Sequence, residues 1–270
     1  MLLDILQSCA VIILALAGGF VGSSFARRQR AWWLLGFFLP LLPIVFIGVA
    51  RRSYPLSLDV PFCWLAAGRV QFAWMALCAS VLMSTLLGRL PQSRLRPLTR
   101  IFTLLFILQT CVMPFLMPAL QRGEISRLKT QIDHDGVCLQ STDYTCGPAA
   151  AVTALRAVGI HADEREIALL SHTSRSTGTD PAVLASVLRA QYAGRQITFT
   201  YRSFNSAADL PTDRPTIAII EYGFLVDHFV TVLKSDKGRL TIGDPLRGRT
   251  TQPFAEFERE WRHVGIVLGR

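Results

Sequence analysis

This 270-residue chain is predicted to hold a helical transmembrane region followed by a soluble domain that mixes helix and strand. Three observations predict this. Hydrophobic residues make up 51% of the sequence and charged residues only 17%, against about 25% charged in an ordinary soluble domain. Charge is also unevenly placed: residues 1–120 hold ten arginines, no lysine and two acids, whereas residues 121–270 hold 18 basic and 17 acidic residues. Finally, residues 1–120 contain four apolar runs, each near the ~20 residues that cross a ~30 Å hydrocarbon core as helix. The formal net charge of +9 invites a nucleic-acid partner. The excess charge lies between apolar runs, however, where arginine sets topology, so the bilayer is the expected partner and nucleic acid is not.

The runs span about Ile5 to Phe25, Ala31 to Ala50, Val70 to Leu87 and Ile101 to Leu120. The first lacks a positive n-region and exceeds the length of a signal-peptide core, so it is expected to stay in the membrane. Gly18 and Gly22 have the GxxxG spacing that lets helices pack closely, a spacing that apolar composition also produces by chance. Pro40 and Pro43 are expected to kink the second run. Gln109, inside the fourth, is expected to make an interhelical hydrogen bond. Arg27, Arg28 and Arg30 follow the first run, and Arg89, Arg94, Arg96 and Arg100 separate the third from the fourth. Arg51, Arg52, Arg69, Arg122, Arg127 and Lys129 fall on the opposite side. The first helix dominates topology, which puts Arg27–Arg30 in the cytoplasm and the soluble domain in a bacterial periplasm. The six cysteines, at 9, 63, 78, 111, 138 and 146, include no CxxC pair, so neither a zinc site nor a disulfide framework is expected.

Residues 121–135 read as a polar linker. Val137 to Gln140 is a short strand, Ser141 to Thr145 a turn, and Cys146-Gly147-Pro148 opens a helix that runs to about Val158. Pro148 suits the first helical turn, and Gly159 suits the left-handed stop. Cys146 therefore stands at a helix N-terminus, where the dipole favours the nucleophilic thiolate. A buried cysteine without chemistry could occupy the same place. Further on, Asp227 to Leu233 is a strand with one histidine, Lys234 to Gly238 a turn, and Arg239 to Gly243 a second strand closing on Asp244-Pro245. The hairpin brings its outer ends together, making His228 and Asp244 neighbours. Cysteine acyl transfer needs these parts: a base beside the thiol, a group orienting that base, and donors for the oxyanion. Gln140, six residues before Cys146, offers a side-chain N–H to an oxyanion, and the Cys146 backbone a second.

Gln140-x5-Cys146-Gly147-Pro148-Ala149, His228-Phe229-Val230, Gly243-Asp244-Pro245 and Phe254-x2-Phe257-x3-Trp261 occur in that order. This pattern resembles the papain-like cysteine peptidase family that processes bacteriocin leaders, the domain fused to double-glycine exporters, over about residues 136–268. The resemblance implies an α-helical transmembrane region followed by an α+β papain-like cysteine peptidase domain. It implies Cys146 as nucleophile, His228 as general base and acid, Asp244 as the orienting carboxylate and Gln140 in the oxyanion hole. It implies a protein or peptide substrate, cleaved through a thioester, and no metal or cofactor. Three departures stand out. Family members often carry Asp before the cysteine, where this chain has Thr145. No GxxxxGK[ST] motif is present, so no nucleotide partner is expected. The membrane region precedes the peptidase domain rather than following it, and a periplasmic domain does not meet a cytoplasmic leader, so the leader-peptide substrate class does not transfer directly.

His134, His161, His172 and His263 sit in no motif. Cys138 shares a strand face with Gln140 and is expected in the core; a resolving thiol for Cys146 is the sharper alternative. Asp180-Pro181 starts a helix with Thr179 or Asp180 as cap. Trp261 is expected to close the core behind the sheet, and Arg247 and Arg249 to lie in a solvated loop. Besides a membrane-anchored cysteine peptidase, two readings remain open: a peptidase-like module that binds a leader or partner without cutting it, and a thioester-forming acyl transferase.

Overall fold

The computed structural model describes residues 2–52, 58, 68–91, 95–223 and 226–269; Cys63 and Arg94 lie outside the described residues. Two compact units are present, one ending at Leu120 and the other built mainly from Gln121 onward.

The first unit is helical. Helix α1 (Leu2–Ala26) is followed by a 3₁₀ turn (Arg30–Leu34), α2 (Leu35–Arg52) and α3 (Val70–Arg89). Helix α4 (Leu95–Ile107) passes through a π turn (Leu108–Val112) into α5 (Met113–Leu120). Among the described residues, four stretches are long and apolar enough to cross a membrane: Leu2–Ala26, Ala31–Val49, Val70–Arg89 and Leu95–Leu120. Helix α2 runs through Pro40 and Pro43 as one continuous helix. The π turn sits where Pro114 lacks an N–H and where its ring crowds the carbonyl of Thr110, so the helix widens by one residue. Gln109 falls on the outward face of that widened turn and is exposed, which corrects the expected helix–helix placement. Gly18 and Gly22 do form a contact. A Cβ on Gly18 would lie 2.6 Å from the Leu77 carbonyl oxygen, and one on Gly22 would lie 2.3 Å from that of Val81. At the other end of α1, Arg69 pairs with buried Asp4 at 3.2 Å and stacks 5.3 Å from the Phe115 ring centre.

The second unit is α+β. A helical turn (Arg122–Ile125) precedes the paired short strands β1 (Gln131–Ile132) and β2 (Cys138–Leu139). Helices α6 (Cys146–Ala157), α7 (Glu164–Leu170) and α8 (Pro181–Gln191) follow. Strands β3 (Thr198–Ser203), β4 (Thr216–Gly223), β5 (Val226–Asp236), β6 (Arg239–Asp244), β7 (Gly248–Pro253) and β8 (Trp261–Gly269) form one antiparallel sheet in the order β3-β8-β4-β5-β6-β7. Helix α9 (Phe254–Glu260) connects β7 to β8. Alternation along the strands divides the core. Ile217, Ile219 and Phe229 join α6 and α8 in one cluster, while Ala218, Val230 and Val232 join Phe257 and Trp261 in the other.

Residues 121–135 are folded rather than a free linker. Ile125 is buried with Tyr144 and Ala168, and the Tyr144 hydroxyl donates to Glu124 at 2.9 Å. Polar composition hid this because only two apolar side chains of the segment, Ile125 and Leu128, pack into that cluster. The β5–β6 turn is also shorter than its sequence suggests. Only Lys237 and Gly238 turn, with φ of 47° and 77°, so β5 continues to Asp236. Two successive positive φ angles match the right-handed strand twist.

Candidate active site

Helix α6 begins at Cys146 and packs its Ala-rich face on the sheet. Two contacts bring it close. The Thr231 hydroxyl donates to the Ala150 carbonyl at 2.7 Å. At Gly243 a Cβ would lie 2.9 Å from Thr153 Cγ2, so only glycine lets β6 approach the helix this closely. The helix ends as its sequence suggests: Gly159, at φ 81°, donates to Arg156 O at 2.9 Å. Asp180 caps α8 by accepting from the Ala182 and Val183 amides at 2.9 and 3.1 Å. Cys146 thus stands at the start of a helix held against β5 and β6.

That hairpin places His228 and Asp244 together. His228 Nε2 lies 2.7 Å from Asp244 Oδ1, and the imidazole residue is only 4% exposed. With Nε2 committed to Asp244, Nδ1 is the nitrogen left for Cys146. Burial pulls the imidazole pKa down, but hydrogen bonds to Asp244 and to the Cys146 sulfur, backed by their charges, outweigh it and hold the ring at about 9. Asp244 is buried too, which opposes its ionisation. The bond from His228, the Leu246 amide at 2.8 Å and the nearby Arg247 charge nevertheless bring its pKa below the usual value. The cluster is therefore poised to hold an imidazolium between a carboxylate and a sulfur.

Gln140 is tied to the end of the same hairpin. Its backbone N–H donates to Pro245 O at 3.0 Å, tying β2 to the residue after Asp244. Its side-chain Nε2 donates to Thr142 O at 2.7 Å, and Oε1 is buried without a partner among the described residues. An amide nitrogen carries two hydrogens, so one fixes the side chain and the second stays available. Thr145 takes the place where family members often have Asp. It is fully buried, and its hydroxyl closes the turn by accepting from the Thr142 amide at 3.1 Å.

Cys138 is fully buried, and its thiol is pushed up to about 12, chiefly by burial and next by the Glu164 charge. Trp261 packs behind the sheet and donates through Nε1 to Val264 O at 3.0 Å. Arg247 stands exposed, 4.0 Å from Asp244 Oδ2. Two residues near the site were not visible in the sequence. Tyr222 places its exposed ring 5.6 Å from the His228 ring, centre to centre. Glu164 is wholly buried beside Ser141. A β-bulge at Glu221–Gly223 redirects Tyr222, and no periodicity in the sequence announces such a bulge. Glu164 follows a cap residue and reads as an ordinary acidic first turn. No group of three or more His, Cys, Asp or Glu that could hold a metal ion occurs among the described residues.

An uncharacterized protein of Methanothermobacter marburgensis is 31% identical over 126 residues, covering 47% of this chain and 82% of its own length. One from Methanothermobacter thermautotrophicus is 26% identical over 147 residues, covering 54% and 97%. Among solved structures, the peptidase domain of Streptococcus ComA, a bi-functional ABC transporter, is similar at 24% identity, covering 48% of this chain and 95% of that one, with a TM-score of 0.41. A double glycine motif protease from an AMS/PCAT transporter, in complex with a leader peptide, is similar at 16% identity, covering 53% and 94%, with a TM-score of 0.42. The sequence model of the Peptidase C39 family matches residues 135–270, the segment that holds Gln140, Cys146, His228 and Asp244, and the chain belongs to that family.

Proposed function

We propose that this protein is a membrane-anchored cysteine peptidase that cuts a peptide or protein segment near the bilayer. One observation carries the reading: the buried His228 ring is bonded to Asp244 at 2.7 Å, and the Cys146 sulfur acts with that carboxylate to hold the ring's pKa at about 9. In this reading the Cys146 thiolate attacks the scissile carbonyl. The second Nε2 hydrogen of Gln140 and the Cys146 backbone N–H receive the developing oxyanion. Imidazolium His228 then gives its proton to the leaving amine, and a thioester remains on Cys146. Water, deprotonated by His228, hydrolyses it. Asp244 keeps the ring oriented and stabilises its charge. The AMS/PCAT protease was solved with a leader peptide, and an extended peptide segment is the substrate class proposed for this chain. The arginines after α1 support a periplasmic peptidase domain in a bacterial inner membrane.

The test uses full-length protein in detergent and iodoacetamide, with labelled sites read by mass spectrometry. Cys146 is expected to label faster than an ordinary exposed thiol, and His228→Ala is expected to slow it at least about tenfold. Labelling at the ordinary rate, unmoved by His228→Ala, would instead favour a module that binds without cutting. Cell envelopes from a Cys146→Ala strain are expected to accumulate an uncut protein. A product carrying a new isopeptide bond would point to acyl transfer.

A further inference from the structure

We propose that Glu164 is a positioning residue for the oxyanion hole, acting through Ser141 on Gln140; this rests on the peptidase reading above. Glu164 is 0% exposed, and both its oxygens are used by one residue. Oε1 accepts the Ser141 backbone N–H at 2.9 Å, and Oε2 accepts the Ser141 hydroxyl at 2.6 Å. The Glu164 amide in turn donates to Thr130 Oγ1 at 2.9 Å, which fixes the start of α7. Ser141 lies between Gln140 and Thr142, and the carbonyl of Thr142 is the acceptor that holds the Gln140 amide. The carboxylate therefore pins the middle of a three-residue unit whose outer members are the oxyanion donor and its anchor.

Burying a carboxylate costs several kcal/mol unless it is well bonded. A neutral side chain could have filled this space, and Glu164 forms no ion pair with a basic side chain among the described residues. What a carboxylate adds is a rigid two-point grip, with charge-assisted bonds shorter and stronger than neutral ones. Rigidity matters at this position because an oxyanion donor acts only within a narrow range of distance. Without the grip, the Ser141 N–H loses its partner and the hydroxyl keeps only the Lys129 carbonyl, 3.0 Å away. The Thr142 carbonyl then drifts, and Gln140 drifts with it.

Two reactions of Cys146 separate this role from a general structural one. Alkylation by iodoacetamide is a displacement at carbon that creates no oxyanion. Acylation by N-benzyloxycarbonyl-glycine 4-nitrophenyl ester does create one: the thiolate adds to the carbonyl, 4-nitrophenolate leaves, and a thioester forms that water hydrolyses. In full-length protein in detergent, Glu164→Ala is expected to slow acylation about ten- to a hundredfold and to leave alkylation within about twofold. Glu164→Gln, which keeps one acceptor, is expected to fall between wild type and Glu164→Ala. The pair Gln140→Ala with Glu164→Ala is expected to acylate no more slowly than Gln140→Ala alone, because both changes remove the same donor. Equal slowing of alkylation and acylation by Glu164→Ala and Glu164→Gln would overturn the proposal, since Glu164 would then support the fold as a whole. Wild-type acylation rates in both variants would also overturn it. Failure of the peptidase reading looks different: wild-type protein would release 4-nitrophenol no faster than Cys146→Ala.

Discussion

His228 is the residue on which charge turns. Its pKa is raised in the fold from an ordinary value of 6.5 to about 9. The stability that its protonated form contributes is therefore complete below about pH 6.5 and is lost as pH rises through about 9. Thermal melts of wild type against His228→Gln are expected to converge over that window. The same charge attracts an anionic reagent. Alkylation of Cys146 by iodoacetate is expected to fall as pH rises through about 9, and Asp244→Asn, which removes the partner of the imidazolium, is expected to move that fall to lower pH. An unchanged profile in Asp244→Asn would remove Asp244 from the site. Cys138 is the opposite case. Burial and the Glu164 charge keep it a thiol, so iodoacetamide is expected to leave it unmodified while Cys146 reacts. Cys138→Ala is expected to change the Cys146 rate by less than about twofold.

Among the elements, α1 and α3 are joined by a close approach that ordinary residues cannot make. Gly18 and Gly22 place backbone against the Leu77 and Val81 carbonyls, where a Cβ would come within 2.6 Å and 2.3 Å. Gly22→Leu is expected to destabilise the helical unit by about 1–3 kcal/mol, as overpacking does, read as a lower melting temperature in detergent. Gly19→Ala is the control. Its Cβ would meet Ser84 Oγ at 3.5 Å, an ordinary contact, so its melt is expected to match wild type. The GxxxG spacing was legible in the sequence, but its partner helix was not. The spacing says that a helix has a smooth face, and only packing says what lies against it. The start of α6 was legible for a different reason. Pro148 and Gly159 restrict their own backbones, and such local restrictions need no distant partner.

In the molecule as a whole, Asp4 with Arg69 joins the starts of α1 and α3, and Arg89 bonds the Arg28 carbonyl where the same helices end. The two helices therefore run parallel, with α2 as the returning span between them. Arg27, Arg28, Arg89 and Arg96 consequently gather at one end of the helical unit, the end expected in the cytoplasm. An alkaline phosphatase fused after Arg270 is expected to be active and a green fluorescent protein there dark. The reverse pattern would place the peptidase domain in the cytoplasm.

Sequence by itself determined what depends on near neighbours. Four runs of apolar residues are long enough to span a bilayer, a thiol opens a helix, and a hairpin folds His228 back toward Asp244. Backbone hydrogen bonding and side-chain alternation act over a few residues, so their pattern is written locally. Tertiary structure alone decided the rest: that the Ala150 carbonyl of α6 meets the Thr231 hydroxyl of β5, that Ile125 anchors the supposed linker, and that Glu164 closes on Ser141. Each of these joins segments with no shared period. A buried group takes its partner from whichever element packs against it, and that choice is made by the core as a whole.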